Sequence, residues 1–129
     1  MLNKVKIEKS SDLLEKETLN VIIDAIHDIK GKNVLKLDLR EISDRPADFF
    51  IICEGDSSTQ VKSIADNIQK RTKQDLNLRA THVEGTKNAT WILLDYFDIM
   101  VHVFYPETRQ FYELEELWGD AKISEHNLN

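Results

Sequence analysis

Three short apolar segments constrain the fold of this chain more than any other feature. "FFIIC" (49–53) is continuously apolar, which is typical of a central strand covered on both faces. "WILLDY" (91–96) and "DIMVHVFY" (98–105) follow one another closely and read as two neighbouring strands. They predict a β-sheet with a buried central strand, within a chain of 129 residues that suits one domain.

Two amphipathic helices are predicted around these strands. The first would begin at a cap formed by Ser11 or Asp12 and stop at Gly31. The second would begin at Ser57, which has capping-box spacing to Gln60. Both carry apolar residues at helical spacing, so each should cover the sheet with one face. These residues are Leu19, Ile22, Ile23, Ile26 and Ile29, then Val61, Ile64, Ala65 and Ile68.

Two more strands and a helical end complete the predicted fold. In "VLKLDLR", Leu35, Leu37 and Leu39 alternate with polar residues, as in a half-exposed strand. A strand near "RATHVEG" should run parallel to "FFIIC", because the helix between them is long enough for a crossover. Pro106 suits the first turn of a short helix, "PETRQF", followed by a helical "LEELWGDA".

The predicted architecture is a single α/β domain with the element order αββαβββα. Its mixed five-stranded sheet would carry the helices mainly on one face and leave the other partly open. The domain would span residues 11–121. Residues 1–10 and 122–129 would be short tails.

Composition limits the classes of function. The net charge of −6 disfavours sequence-specific nucleic-acid binding, because phosphate backbones select basic proteins, and it favours a basic protein partner. The single cysteine, Cys53, predicts a buried thiol in a reducing compartment. The chain has no membrane-span signal and no apolar core of a signal peptide, so the cytoplasm is the expected location and no membrane partner is expected.

Polar residues within the paired strands point to the functional surface. With Tyr96 and Phe97 as a two-residue turn, the hairpin would pair Asp95 with Asp98 and Trp91 with His102. One face would then be wholly apolar and lie under the helices: Ile92, Leu94, Ile99, Val101 and Val103. The opposite face would carry Trp91, Leu93, Asp95, Asp98, Met100 and His102.

An enzymatic function of this face would need residues or motifs that the sequence does not supply. A metal site needs three or four converging ligands, and two aspartates with one distant histidine fall short. Ser57 or Ser58 would complete a Ser–His–Asp set only formally, since serines before a helix are usually caps. "EGDSST" resembles the start of nucleotidyltransferase-like domains, but it is neither a P-loop nor a Rossmann fingerprint. We predict no catalytic residue, no metal and no cofactor, and a contact surface instead.

Three blocks resemble the ribosomal silencing factor family, also called Iojap or YbeB. They are "DFFIICEGDSSTQVKSIADNI", "EGTKNATWILLDYFDIMVHVF" and "RQFYELEELWGDA", and the match runs from about Leu13 to Ala121. The resemblance implies an α/β fold related to nucleotidyltransferases but without enzymatic activity. It implies binding to the large ribosomal subunit through ribosomal protein number fourteen. The bound factor would block joining of the small subunit and repress translation when nutrients are short.

The resemblance also implies roles for residues. The family's tryptophan, two hairpin aspartates and "VHVF" histidine match Trp91, Asp95, Asp98 and His102. Phe97 departs from the pattern, because many relatives have glycine there. The family includes homodimers, so self-association stays open. Two alternatives remain: a nucleotidyltransferase-like enzyme or nucleotide-binding protein, and an adaptor that uses the same surface for a different partner.

Overall fold

The fold is built on a six-stranded mixed sheet. A computed structural model describes the backbone of residues 2–128 and the side chains of residues 12–128. In chain order the elements are α1 (Leu2–Asp28), β1 (Lys32–Asp38), β2 (Phe49–Glu54), α2 (Ser58–Leu76), β3 (His82–Glu84), β4 (Trp91–Asp95), β5 (Ile99–Phe104), α3 (Pro106–Tyr112), α4 (Leu114–Leu117) and β6 (Lys122–Glu125).

The strands are arranged in the order β3-β4-β5-β2-β1-β6. β2 and β5 are parallel, and the other neighbours are antiparallel. β3 therefore runs in the same direction as β2, as predicted, with β5 and β4 between them. β2 is the central strand, and its first five residues are buried. Burial raises the pKa of the Cys53 thiol to about 12, so the thiol stays protonated.

The first core lies between the sheet and the two long helices. The predicted apolar stripes of α1 and α2 pack against the buried face of β2, β4 and β5, which confirms both stripes. Gly31 follows α1 at a point of close approach, where a Cβ atom would overlap the side chain of Ile26. The left-handed backbone of this turn belongs to Lys30, at φ 60°.

The start of α2 shows the predicted cap with one change. The Ser57 Oγ accepts a hydrogen bond of 3.1 Å from the Gln60 backbone N–H, so Ser57 is the N-cap of α2. The Gln60 Oε1 accepts from the Asp56 N–H at 2.6 Å, instead of from the N–H of the cap residue itself. The two bonds satisfy backbone donors at the start of the helix.

A second, smaller core covers part of the opposite sheet face. It joins β1, β2 and β5 to the segment after β1 and to α4. Partly buried Trp91, Met100 and Trp118 line its margin. The expected distribution of helices holds for α1 and α2, while the short α4 packs Leu114 on the other side. The buried residues of the second core are Leu37, Leu39, Ala47, Phe50, Ile52, Phe104 and Leu114.

Arg109 fastens the short helix α3 to the sheet. Its side chain is buried, and its Nη1 donates to the Asn33 carbonyl at 2.7 Å and to Glu54 Oε2 at 3.3 Å. Its Nε donates to Glu115 Oε1 at 3.0 Å. One guanidinium therefore connects β1, β2 and α4, which are distant in sequence.

Both predicted tails contribute to secondary structure. α1 begins at Leu2, so Ser11 and Asp12 lie inside the helix and the predicted cap there is wrong; Met1 lies outside the described residues. Residues 122–125 form β6, which makes the sheet six-stranded instead of five-stranded. All four β6 residues are exposed, so the strand has no apolar alternation that would predict it. Its pairing with β1 is a backbone interaction.

Among the described residues, no helix combines the length and apolar composition that a membrane crossing requires.

Candidate functional site: the open face of the hairpin

The β4–β5 hairpin turns one residue later than predicted. The Tyr96 N–H donates to the Ile99 carbonyl at 2.8 Å, so Phe97 and Asp98 form the turn. Phe97 adopts φ 72°, and its N–H donates to Asp95 Oδ1 at 2.8 Å. This short side-chain to backbone bond supports a left-handed turn residue that is not glycine. The predicted pairings of Asp95 with Asp98 and of Trp91 with His102 are therefore wrong.

Each residue of β4 pairs with a β5 residue two positions further along the chain than predicted. Asp95 is opposite Met100, Leu93 opposite His102, and Trp91 opposite Phe104. A shift of two preserves the alternation of side chains, so the predicted division of faces survives. Ile92, Leu94, Ile99, Val101 and Val103 are all buried under the long helices.

The opposite face of the hairpin is only partly covered. Trp91, Leu93, Asp95 and Met100 are each half-buried there. We call these four residues the open hairpin face. This surface includes a tryptophan and a methionine, two residue types that are enriched at the cores of protein interfaces.

His102 lies buried beneath the open hairpin face and contacts Trp91. Its side chain is buried, and its Nδ1 accepts a hydrogen bond of 3.1 Å from Trp91 Nε1. Burial lowers the pKa of His102 to about 4, so the imidazole is neutral at pH 7, with its proton on Nε2. The Nε2 atom has no hydrogen-bond partner among the described residues. His102 therefore orients the Trp91 ring and is not itself available to a partner.

An aromatic wall continues the open hairpin face towards α3. The Trp91 ring lies 4.9 Å from the ring centre of Phe104 and 4.9 Å from that of Tyr112. Phe111 and Tyr112 are exposed at the end of α3, with their ring centres 5.0 Å apart. The predicted contact residues do not include Phe111 or Tyr112, which lie in the "RQFYELEELWGDA" block of the family resemblance.

Asp98 lies in the hairpin turn, at the edge of the open hairpin face, and belongs to an acidic cluster. The carboxylates of Glu15, Asp48 and Asp98 have oxygen atoms within 4.8 Å of one another, the single such group of three potential metal ligands among residues 12–128. Burial and the charge of Asp48 raise the pKa of Asp98. Asp95, Asp98 and His102 are therefore not brought together as one ligand set.

Glu15 should make stability depend on pH. Burial, a hydrogen bond with the Asp48 carboxyl and repulsion by Asp48 and Asp98 raise its pKa to about 7. Because the folded chain holds this proton more tightly than the unfolded chain, the contribution of Glu15 to stability falls as pH rises from about 4.5 to about 7. Glu15→Gln, which mimics the protonated acid, should melt close to the wild type at pH 5 and above it at pH 8.

Thermal melts at several pH values check this expectation. Glu17→Gln is the matched control, because Glu17 is exposed on the same helix. A Glu15→Gln advantage of the same size at pH 5 and pH 8 would show that Glu15 does not keep its proton.

Comparison with known proteins decides the family. The family model described as "Ribosomal silencing factor during starvation" matches residues 12–129. The chain belongs to the ribosomal silencing factor family. A ribosomal silencing factor of Halalkalibacterium halodurans is 40% identical over 109 residues, which cover 84% of this chain and 92% of the relative.

Two further relatives extend the comparison. A crystal structure of a Chromobacterium violaceum protein superposes with a TM-score of 0.76 at 35% identity, covering 81% of this chain and 85% of the other. The mouse protein named "Mitochondrial assembly of ribosomal large subunit protein 1" is 32% identical over 77 residues, which cover 57% of this chain and 33% of the relative.

Membership of the ribosomal silencing factor family confirms the resemblance seen in the three sequence blocks. The family is regulatory and not enzymatic, as expected. Ribosome association and regulation of translation follow from the family role.

Proposed function

We propose that this ribosomal silencing factor binds the large ribosomal subunit through ribosomal protein number fourteen. The bound factor sterically blocks joining of the small subunit and lowers translation when nutrients are short. The observation that carries the proposal is the open hairpin face, where a half-exposed tryptophan is held in place beside aliphatic side chains and a carboxylate.

Negative charge around the turn of the hairpin, here called the hairpin tip, supports the proposal that the partner is a ribosomal protein. An open cavity of about 460 Å³ beside Phe97 is lined by four carboxylates and one arginine. Proteins that bind ribosomal RNA carry lysine and arginine, because these neutralise phosphate charge. An acidic tip therefore complements a ribosomal protein and is repelled by bare RNA. The lining residues are Asp44, Arg45, Pro46, Ala47, Asp48, Asp95, Phe97 and Asp98.

The mouse relative supports the choice of subunit, because its name links it to the large ribosomal subunit. In this proposal Trp91 is the central anchor, with Leu93 and Met100 beside it. Asp95 and Asp98 supply negative charge at the edge. His102 acts through Trp91, since its own side chain is buried.

Reversing the charge of Asp95 should weaken binding to purified large subunits about tenfold or more at low salt, because Asp95→Lys sets like charges against each other. Asp95→Asn should weaken binding only a few-fold, since its side-chain oxygen can still accept from the Phe97 N–H. Inhibition of subunit joining, measured by light scattering, should fall in the same order, strongly for Asp95→Lys and only slightly for Asp95→Asn. Dissociation constants at two salt concentrations provide the main comparison.

The matched control is Asp66→Lys, which makes the same charge change at an exposed position on α2. It should bind like the wild type. If Asp95→Lys and Asp66→Lys weaken binding equally, the effect comes from the net charge of the protein. That result would contradict a role for the hairpin. Wild-type protein that binds no large subunits would contradict the proposed function itself.

A further inference from the structure

An open aromatic cavity lies between the hairpin and α3. It has a volume of about 340 Å³ and is lined by Thr90, Trp91, Glu107, Thr108, Phe111 and Tyr112. Three of these side chains are aromatic, and Glu107 is the one charged group among them. We call this space the aromatic cavity.

The rings of the aromatic cavity stand at angles to one another. The planes of Trp91 and Tyr112 meet at 51°, and those of Phe111 and Tyr112 at 80°. Rings tilted in this way turn different faces and edges towards a shared space, unlike a flat stack. The Trp91 ring is also held by its hydrogen bond to His102, so this wall is preorganised.

No cation of the described residues occupies the aromatic cavity. Among residues 12–128, the two contacts of a cation over an aromatic ring both involve Phe49, which lies outside the cavity and meets Lys36 and Arg40. The arginine on α3, Arg109, is directed instead into its buried pairs with Glu54 and Glu115. The aromatic cavity is therefore available to a group from outside the chain.

Aromatic faces beside a carboxylate select a cation. The negative face of an aromatic ring attracts a guanidinium or ammonium group, and arginine takes part in such contacts more often than lysine. Glu107 is exposed at the first turn of α3 and adds a negative charge to the same opening. The net charge of −6 favours cationic partners in general.

We propose that the aromatic cavity receives an arginine side chain of the ribosomal protein that this factor binds. This inference rests on the proposed function and adds to it the chemistry of one contact. The guanidinium lies against the aromatic rings and is balanced by the Glu107 carboxylate. The contact extends the binding surface from the open hairpin face onto α3.

Two substitutions of Tyr112 distinguish a cation from an apolar side chain in the aromatic cavity. Tyr112→Phe keeps the aromatic ring, so binding to large subunits should stay within about twofold of wild type. Tyr112→Leu keeps apolar area but loses the ring, so binding should weaken about fivefold or more. Tyr112 is more than half exposed, so both variants should fold, and thermal melts verify this.

Glu107→Gln gives an independent readout. It should weaken binding at low salt and reduce the dependence of the dissociation constant on salt, because one charge of the contact is removed. Glu116→Gln is the matched control, since Glu116 is exposed on α4 and does not line the aromatic cavity. It should bind and respond to salt like the wild type.

The outcomes separate this inference from the proposed function. Wild-type binding with equal affinities for Tyr112→Phe and Tyr112→Leu would overturn the arginine contact and leave the proposed function standing. Glu107→Gln with unchanged affinity and unchanged salt dependence would also overturn it. Absence of binding by the wild type would overturn both proposals. The expected order, with Tyr112→Leu clearly weaker than Tyr112→Phe and a reduced salt dependence for Glu107→Gln, supports the contact.

Discussion

Trp91→Ala should lower the free energy of unfolding by about 3 kcal/mol and abolish detectable binding to large subunits. The ring of Trp91 packs on Phe104 and at the margin of the second core, so its removal leaves a gap. The substitution also removes the donor to His102 Nδ1, and a buried acceptor without a partner is costly. Binding is lost because the proposed anchor of the open hairpin face is gone.

Chemical denaturation at 25 °C measures the stability change, and titration of the folded protein against large subunits measures binding. Trp91→Phe is the control, because it keeps an aromatic ring at the core margin while it loses the indole N–H and the smaller part of the ring system. It should be destabilised by about 1 kcal/mol. Trp91→Ala with wild-type stability would show that the Trp91–His102 pair does not support the fold. Folded Trp91→Ala with wild-type affinity would contradict the anchor role.

Arg109→Met should lower the free energy of unfolding by about 3 kcal/mol or more. The Arg109 side chain is 9% exposed and pairs with the carboxylates of Glu54 and Glu115, which are 15% and 26% exposed. Methionine fills similar space but leaves both carboxylates without their cation. It also removes the donor to the Asn33 carbonyl, which connects α3 to the start of β1.

A compensated variant tests this explanation. Adding Glu54→Gln and Glu115→Gln to Arg109→Met should restore part of the stability, because no uncompensated carboxylate remains. Lys122→Met is the contrasting control, since its pair with Glu41 is 70% and 80% exposed and should contribute less than about 1 kcal/mol. If Arg109→Met and Lys122→Met unfold at the same denaturant concentration as the wild type, the buried cluster does not stabilise the fold.

Side-chain periodicity predicted which residues face the main core. The stripes of α1 and α2 and the buried face of the hairpin could be identified from spacing alone, because a helix repeats every 3.6 residues and a strand every two. The wrong hairpin register did not disturb this result. Moving a pairing by two residues keeps every side chain on its original face, so Trp91, Leu93 and Asp95 were placed correctly.

Register, partners and depth of burial were decided by the tertiary structure. Phe97 takes a left-handed conformation that its residue type does not favour, because Asp95 accepts a hydrogen bond from its N–H. Asp98 joins Glu15 and Asp48, which come from α1 and from the segment before β2. Such contacts depend on where distant segments meet, and no local spacing records them.

His102 and β6 show the same division between sequence and structure. His102 lies on the face that periodicity predicted, but packing by Phe50, Trp91 and Phe104 buries it and makes it a support for Trp91. β6 has exposed side chains and is held to β1 by backbone pairing, which any sequence without proline can provide. The order of residues was enough to identify the family and the two faces of the hairpin. Only the folded chain decided how deep each side chain lies and what it contacts, because both depend on segments far apart in sequence.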